Sequence, residues 1–233
     1  MQSALYPLKF MPLYKNVIWG GNKLKDYGFD YDPLPNCGEL WALSSVEGRE
    51  SVIANGFLAE NTLNEAIEVY MGDLVGEKVF EQFGTEFPLL FKVIDAAKDL
   101  SIQVHPDDEL AQRRGMPCGK TEMWYVMEAD KGARLISGFR RDTDPEEYRA
   151  ALAACPYFTT RLIPFDKPMR KNLEDFDTFV VYMCVDGIAA VKSMDTIVPL
   201  HAGECVLVPA VAENVELYSE GPAKLLEVYI DSL

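Results

Sequence analysis

The chain has 233 residues, of which 48% are hydrophobic and 25% are charged, a composition typical of a folded globular protein. Its 37 acidic and 22 basic side chains give a net charge of −15, which argues against binding to nucleic acid or to an anionic membrane. No apolar run has membrane-spanning length and the amino terminus lacks a secretory signal, so we expect a cytoplasmic protein.

The first part of the chain predicts strands followed by helices. Residues Glu39–Ser44 and Ser51–Ala54 are short alternating segments between Gly and Pro turns, as is typical of strands. Thr62 and Glu65 form a capping box ahead of apolar residues at helical spacing, which predicts a helix beginning there. A second helix is predicted from Gly76 to Phe83.

The middle of the chain predicts a short helix, a hairpin and another helix. Asp107–Arg114 has acidic residues in its first turn and arginines in its last, and Gly115 follows as a stop. Met123–Val126 and Arg134–Ser137 flank a turn and predict a β-hairpin. Asp144, followed by proline, is typical of a helix cap.

Almost all of the chain after Tyr157 is strand-like. Short apolar segments alternate there with glycine-containing turns, which indicates a β-sandwich or barrel. The predicted strands are Thr178–Val185, Ile188–Lys192, Glu204–Val208, Val215–Tyr218 and Lys224–Ile230.

The five cysteines are scattered, odd in number and free of C-x-x-C spacing, so we expect them to be reduced. This pattern argues against a disulfide framework and against a cysteine zinc knuckle. Cys118 lies two positions before Lys120 and is close in sequence to a possible pocket, but a structural thiol is the simpler interpretation.

One block of sequence carries possible metal ligands. Leu100–Asp107 reads LSIQVHPD and is followed by Gly119–Glu122, which reads GKTE. Because side chains alternate along a strand, Gln103 and His105 would share one face, and Glu122 would open the next strand. An amide oxygen, an imidazole and a carboxylate suit zinc first, then iron or manganese.

A structural interpretation of the same residues is also open. His105 before a proline can simply cap a turn, and Gln103 can be a solvated residue of an edge strand. A dioxygenase-type iron site would require two histidines and a carboxylate, and the second histidine of the chain, His201, lies in a predicted turn far along the sequence.

The LSIQVHPD and GKTE segments resemble the metal-site signature of the type I mannose-6-phosphate isomerases. Further segments resemble other motifs of this family: Tyr14–Gly21, Gly38–Ser44, Phe87–Lys92 and Gly203–Ala210. The resemblance implies a mainly β fold of cupin-type jelly-roll barrels with a few inserted helices. It also implies a metal-binding cupin domain with helical insertions in residues 1–154 and a C-terminal cupin-like β half in residues 155–233.

The resemblance implies an isomerase that interconverts mannose 6-phosphate and fructose 6-phosphate. One zinc ion per chain would be held by Gln103, His105 and Glu122. The metal would hold the sugar oxygens and stabilise negative charge while a proton moves between C1 and C2.

The same resemblance places Lys92, Ser101 and Lys120 around the sugar phosphate. Lys120 is also the candidate catalytic base, provided that burial and a nearby cation lower its pKa. The expected partner is a small-molecule sugar phosphate, with neither nucleic acid nor membrane, and the expected assembly is a monomer or homodimer.

The chain departs from the family pattern in its middle. The family carries a fourth ligand histidine in a Pro-Ala-Gly-x-x-His loop and a later substrate-facing arginine, and both are missing after the predicted helix around Glu147. If Pro209–Asn214 is the equivalent loop of a second barrel, Asn214 replaces the histidine; Asn214 can equally be an ordinary turn residue. A three-ligand zinc site remains chemically possible. Two functions therefore stay open: a metal-dependent isomerase, and a non-catalytic cupin that binds a sugar phosphate or acts as a scaffold.

Overall fold

The computed structural model of the chain describes residues 5–100, 103, 105–115, 119–135 and 157–230. The described residues form a mainly β structure with three α-helices, as the sequence predicts. The strands in chain order are β1 (Leu8–Lys9), β2 (Leu13–Lys15), β3 (Glu39–Leu43), β4 (Ser45–Val46), β5 (Arg49–Glu50), β6 (Phe91–Ile94), β7 (Thr159–Phe165), β8 (Met169–Asn172), β9 (Val180–Asp186), β10 (Ile188–Ser193), β11 (Thr196–His201), β12 (Cys205–Val208), β13 (Asn214–Ser219) and β14 (Ala223–Tyr229).

The helices begin where the capping residues predict. Helix α1 (Leu63–Val75) opens with the predicted box: the Thr62 hydroxyl accepts from the Glu65 amide at 3.2 Å, and the Glu65 carboxylate accepts from the Thr62 amide at 2.8 Å. Helices α2 (Glu77–Phe83) and α3 (Asp108–Arg113) confirm the other two predictions that fall within the described residues. None of the described helices combines the length and apolar character needed to cross a bilayer.

Antiparallel pairing arranges the strands in four sheets. The largest has the order β1-β12-β9-β14-β7, and a four-stranded sheet has the order β11-β10-β13-β8. The remaining sheets are β2-β3-β6 and the small hairpin β4-β5. A core lies between the two large sheets, where Tyr182, Val191, Leu217 and Leu225 have essentially no exposed surface.

Strand β9 is buried on both faces, so it belongs to two cores. Val180 and Tyr182 point into the core between the large sheets. Phe179 and Val181 point the other way, into a second core shared with the β2-β3-β6 sheet and helices α1 and α2. A strand covered on both faces is expected to be apolar throughout, and residues 179–185 are.

The amino-terminal strand completes the carboxy-terminal sheet. Leu8 pairs with Leu207, and Lys9 pairs with Val206. The predicted boundary between residues 154 and 155 lies outside the described residues, so the division into two domains stays a prediction.

Two of the predicted strand segments do not form strands. Ser51–Ala54 contributes only isolated bridges, from Val52 to Thr62 and from Ile53 to Phe10. Met123–Val126 is also outside any strand, although its alternation is real: Met123 and Tyr125 pack on the core, and Trp124 and Val126 are exposed. An alternating pattern of apolar and polar residues indicates that one face of a segment is buried. It does not show that a second strand is available for pairing.

Other predictions lie partly or wholly outside the described residues. Ile136 and Ser137, in the second strand of the predicted hairpin, lie outside the described residues. So does Asp144, the predicted helix cap. Cys118 and Cys155 also lie outside the described residues.

The described cysteines, Cys37, Cys184 and Cys205, are buried and free. Burial raises the pKa of the Cys184 thiol to about 11 and that of the Cys205 thiol to about 12, which favours unreactive thiols.

Candidate metal and substrate site

His105 and Glu122, two of the three predicted metal ligands, lie in direct contact. The His105 Nε2 atom is 2.5 Å from a Glu122 carboxylate oxygen, and the Lys120 ammonium is 3.1 Å from the other oxygen. The side chain of His105 is 24% exposed and that of Glu122 is 36% exposed, so solvent reaches the pair. The structure therefore brings together an imidazole, a carboxylate and a lysine from the block that the sequence singled out.

Close backbone packing holds the GKTE segment against the His-Pro turn. The Lys120 amide donates to the Pro106 carbonyl at 3.1 Å, and the Gly119 amide donates to the Asp108 carboxylate at 2.8 Å. A Cβ atom at residue 119 would lie 2.7 Å from the Pro106 carbonyl oxygen. Glycine is thus required at this position for Glu122 to reach His105.

Glu122 is held in the state that a metal ligand needs. Partial burial alone would raise the pKa of its carboxyl group, but the hydrogen bonds and charges of Lys120 and His105 lower the pKa overall. The ionised carboxylate is the form that coordinates a cation.

The third predicted ligand, Gln103, has an exposed side chain, and within the described part of the chain no hydrogen bond joins it to His105 or Glu122. Neither His105 nor Glu122 lies in a strand, so their predicted placement on neighbouring strands is wrong. Their convergence comes instead from the turn and backbone contacts around Gly119. Ser101, predicted to bind substrate, lies outside the described residues.

The donors present fit zinc in chemical type. Across the described ranges, no three His, Cys, Asp or Glu side chains form a cluster, so a third donor would have to be an amide such as Gln103 or water. His105 and Glu122, 2.5 Å apart, already place an imidazole and a carboxylate side by side, as a shared zinc ion would require.

His201 and Asn214, the residues considered for the missing fourth ligand, make other contacts. His201 ends strand β11, where its Nε2 atom is 3.4 Å from Glu204 and its ring packs on Phe29. Asn214 begins β13, and its carbonyl accepts a hydrogen bond from the Ser193 hydroxyl at 2.7 Å. These contacts fit structural roles for both residues.

Lys92, a predicted substrate-binding residue, lies on β6 opposite Trp41 of β3. Its ammonium is 3.4 Å from the Glu39 carboxylate and 4.8 Å from the centroid of the Trp41 ring. The Trp41 indole N–H donates to the same carboxylate at 2.8 Å. Glu39 was missed by the sequence analysis, although its alternation with Trp41 in the GELWALS motif places both residues on one face.

Lys15 of β2 completes this cluster. It pairs with Glu39 across the sheet, and its ammonium lies 3.4 Å from the Trp41 ring centroid and 3.9 Å from the Glu39 carboxylate. Burial alone would raise the pKa of Glu39, but the Trp41 hydrogen bond and the two lysines lower it overall. Glu39 is therefore an anion surrounded by cations.

We expect Glu39→Gln to lower the free energy of unfolding by about 1–2 kcal/mol near neutral pH, because the partly buried hydrogen bond from Trp41 loses its charged acceptor and the two lysines lose their counter-charge. The pKa of Glu39 is depressed in the folded state, so its stabilisation is present above the unfolded-state pKa of about 4.3 and is lost as the pH falls below it. Urea unfolding from neutral to acidic pH should show a smaller loss of stability in the variant than in the wild type. Glu213→Gln, at an exposed position, is the matched control. If the unfolding free energy of Glu39→Gln fell with pH in parallel with that of the wild type, Glu39 would not be a stabilising anion in the folded protein.

Comparisons with known proteins find sequence relatives of this chain. Residues 7–149 match the family model described as phosphomannose isomerase type I, catalytic domain. The mannose-6-phosphate isomerase of Bacillus subtilis is 40% identical over 144 residues, which cover 60% of this chain and 43% of that protein. The enzyme of the same name from Streptococcus mutans is 39% identical over 149 residues, covering 64% and 45% respectively. These alignments therefore span less than half the length of those relatives.

Solved structures share the mainly β fold of this chain. A crystal structure of the Bacillus subtilis mannose 6-phosphate isomerase aligns with a TM-score of 0.69 and 20% identity, covering 96% of this chain and 99% of that one. A zinc-bound mannose 6-phosphate isomerase aligns with a TM-score of 0.65 and 15% identity, covering 97% and 99%.

Proposed function

The chain belongs to the type I phosphomannose isomerase family, and from this premise we propose that it is a metal-dependent isomerase that interconverts mannose 6-phosphate and fructose 6-phosphate. The observation that carries the proposal is the contact of His105 with Glu122, with Lys120 at the same carboxylate, inside the family's metal-site block. The similar proteins named mannose-6-phosphate isomerase support the substrate.

We propose one zinc ion per chain, held by Gln103, His105 and Glu122. The imidazole and carboxylate are adjacent and partly exposed, and the zinc-bound relative of the same fold supports the choice of metal. When bound, zinc would polarise the sugar oxygens and so acidify the neighbouring C–H bond.

The residues of the chain would bind the sugar phosphate and move the proton. Lys92, Ser101 and Lys120 are proposed to hold the substrate, and Lys120 is proposed as the residue that carries the proton between C1 and C2. The Lys120 amine lies 3.1 Å from the Glu122 carboxylate, beside the proposed metal ligands and therefore near the sugar carbons that the metal would hold. Base catalysis by Lys120 would use its neutral amine.

We propose further that residues 1–154 form the metal-binding domain and residues 155–233 a cupin-like β half. The buried thiols of Cys37, Cys184 and Cys205 are compatible with a cytoplasmic protein, which would be a monomer or homodimer.

A non-catalytic, sugar-phosphate-binding cupin is the second candidate function. The contact that favours it is the engagement of both Glu122 oxygens by protein groups, the His105 imidazole and the Lys120 ammonium, which can replace a metal ion. Calorimetric titration with mannose 6-phosphate separates the two candidates: binding without turnover in zinc-loaded protein supports the second.

We expect zinc-loaded protein to convert mannose 6-phosphate to fructose 6-phosphate in a coupled assay, and chelation to abolish the activity. Lys120→Met should lower kcat by about a hundredfold or more, the range for loss of a general base. Lys131→Met, at an exposed turn, is the matched control and should retain wild-type kcat. A folded, fully metallated wild type without turnover would refute the isomerase proposal.

A further inference from the structure

Three cations meet on one face of the β2-β3-β6 sheet, in a chain whose net charge is −15. The ammonium groups of Lys15 and Lys92 lie 3.4 Å and 4.8 Å from the Trp41 ring centroid, and the guanidinium carbon of Arg49 lies at 5.7 Å. We call these three residues with Trp41 and Glu39 the Trp41 cluster.

The folding of the sheet explains why the cations converge. Lys15 pairs directly with Glu39, and Lys92 pairs directly with Trp41, so all four side chains leave the same face of the sheet. The opposite face of the same sheet is turned to the core, where Leu40 of β3 is buried.

Arg49 arrives from the β4-β5 hairpin. Val46 pairs with Arg49 across a two-residue turn that contains Gly48 with φ of +71°. A positive φ suits glycine and lets the chain reverse tightly. This reversal returns Arg49 towards Trp41, whose strand immediately precedes the hairpin.

The charges of the Trp41 cluster do not balance. Glu39 is its only carboxylate among the described contacts, so three cations face one anion and leave a formal excess of two positive charges. Burial chiefly, and then the charge of Arg49, lowers the pKa of Lys15, the direction expected where cations lie close together. A bound dianion would relieve that repulsion.

We propose that Lys15 and Arg49, acting with Lys92, bind the phosphoryl group of the sugar phosphate. The identity of the whole substrate rests on the proposed function, whereas the phosphoryl site rests on the cluster itself. Arginine offers two parallel N–H donors to a phosphoryl group, and lysine contributes a compact charge. Trp41 is 5% exposed, so its role is to support the cations and not to stack on the sugar.

Titration calorimetry of metal-free protein with inorganic phosphate at low ionic strength tests the proposal. Lys15→Met and Arg49→Met should each weaken phosphate binding by about tenfold, because each removes a charge-assisted hydrogen bond. Lys15→Arg, which keeps the charge, should retain most of the affinity. Lys167→Met, at an exposed turn between β7 and β8, is the matched control and should bind as the wild type does.

Two further measurements make the outcome decisive. Thermal unfolding shows whether each variant is folded, and mannose 6-phosphate, but not mannose, should compete with phosphate. Wild-type affinity in both Lys15→Met and Arg49→Met, or no phosphate binding by the folded wild type, would overturn the proposal. Because the titration needs neither zinc nor turnover, phosphate binding without isomerase activity would refute the proposed function and leave this site standing.

Discussion

Substituting Lys171 with methionine should destabilise the protein by about 3–5 kcal/mol, the cost of leaving a buried charge without its partner. The partner is Glu227, which is 1% exposed within the apolar strand β14. The Lys171 ammonium contacts its carboxylate, the Tyr182 hydroxyl donates to it at 3.3 Å, and Arg161 lies 3.9 Å away. Arg161 is more exposed than Lys171, so it compensates the buried carboxylate less effectively.

Urea unfolding of matched variants measures this effect. Lys192→Met removes another lysine from a cross-strand pair, but its partner Glu216 has a side chain that is 30% exposed and not fully buried, so we expect a loss below about 1 kcal/mol. Adding Glu227→Gln to Lys171→Met should recover part of the lost stability, since no buried charge then remains. A Lys171→Met variant no less stable than Lys192→Met would show that the contact does not stabilise the fold.

Replacing His105 with asparagine should weaken zinc binding by about a hundredfold or more. Mutating a residue that only hydrogen-bonds to a metal ligand already lowers metal affinity by about 10–100-fold, and loss of the ligand itself should cost at least as much. Asparagine keeps a polar side chain at this half-exposed position, so the fold should be retained. Competition with a chromophoric chelator measures the dissociation constant.

The chain supplies its own control for this substitution. His201→Asn removes the second histidine, which contacts Phe29 and Glu204, and should leave zinc affinity unchanged. Equal zinc affinity in the His105→Asn variant and the wild type would show that the metal binds elsewhere.

Local signals in the sequence were sufficient for the helices and for most carboxy-terminal strands. The capping box at Thr62 is complete within four residues, and its geometry is as predicted. Alternation between glycine turns likewise located strands such as β10 and β14. His105 and Glu122 of the metal-site block lie in contact, whereas their role as metal ligands stays a prediction.

Features that depend on pairing between distant segments were not predictable. The Trp41 cluster requires the register of β2 and β6 on β3, which no local pattern specifies. Glu227 is visible as a charge in an apolar segment, but its partner Lys171 is 56 residues away. In Met123–Val126 the local pattern correctly indicated which side chains are buried and which are exposed. The predicted strand nevertheless does not form, because within the described residues the segment has no strand to pair with.

X-ray absorption spectroscopy of zinc-loaded, dialysed protein tests the central claim most directly, namely that His105 and Glu122 bind the same ion. We predict one zinc ion per chain with nitrogen and oxygen ligands at about 2.0–2.2 Å and a single imidazole contribution that disappears in the His105→Asn variant. Sulfur ligands at about 2.3 Å, an imidazole contribution that survives the substitution, or failure of the wild type to retain zinc would contradict it.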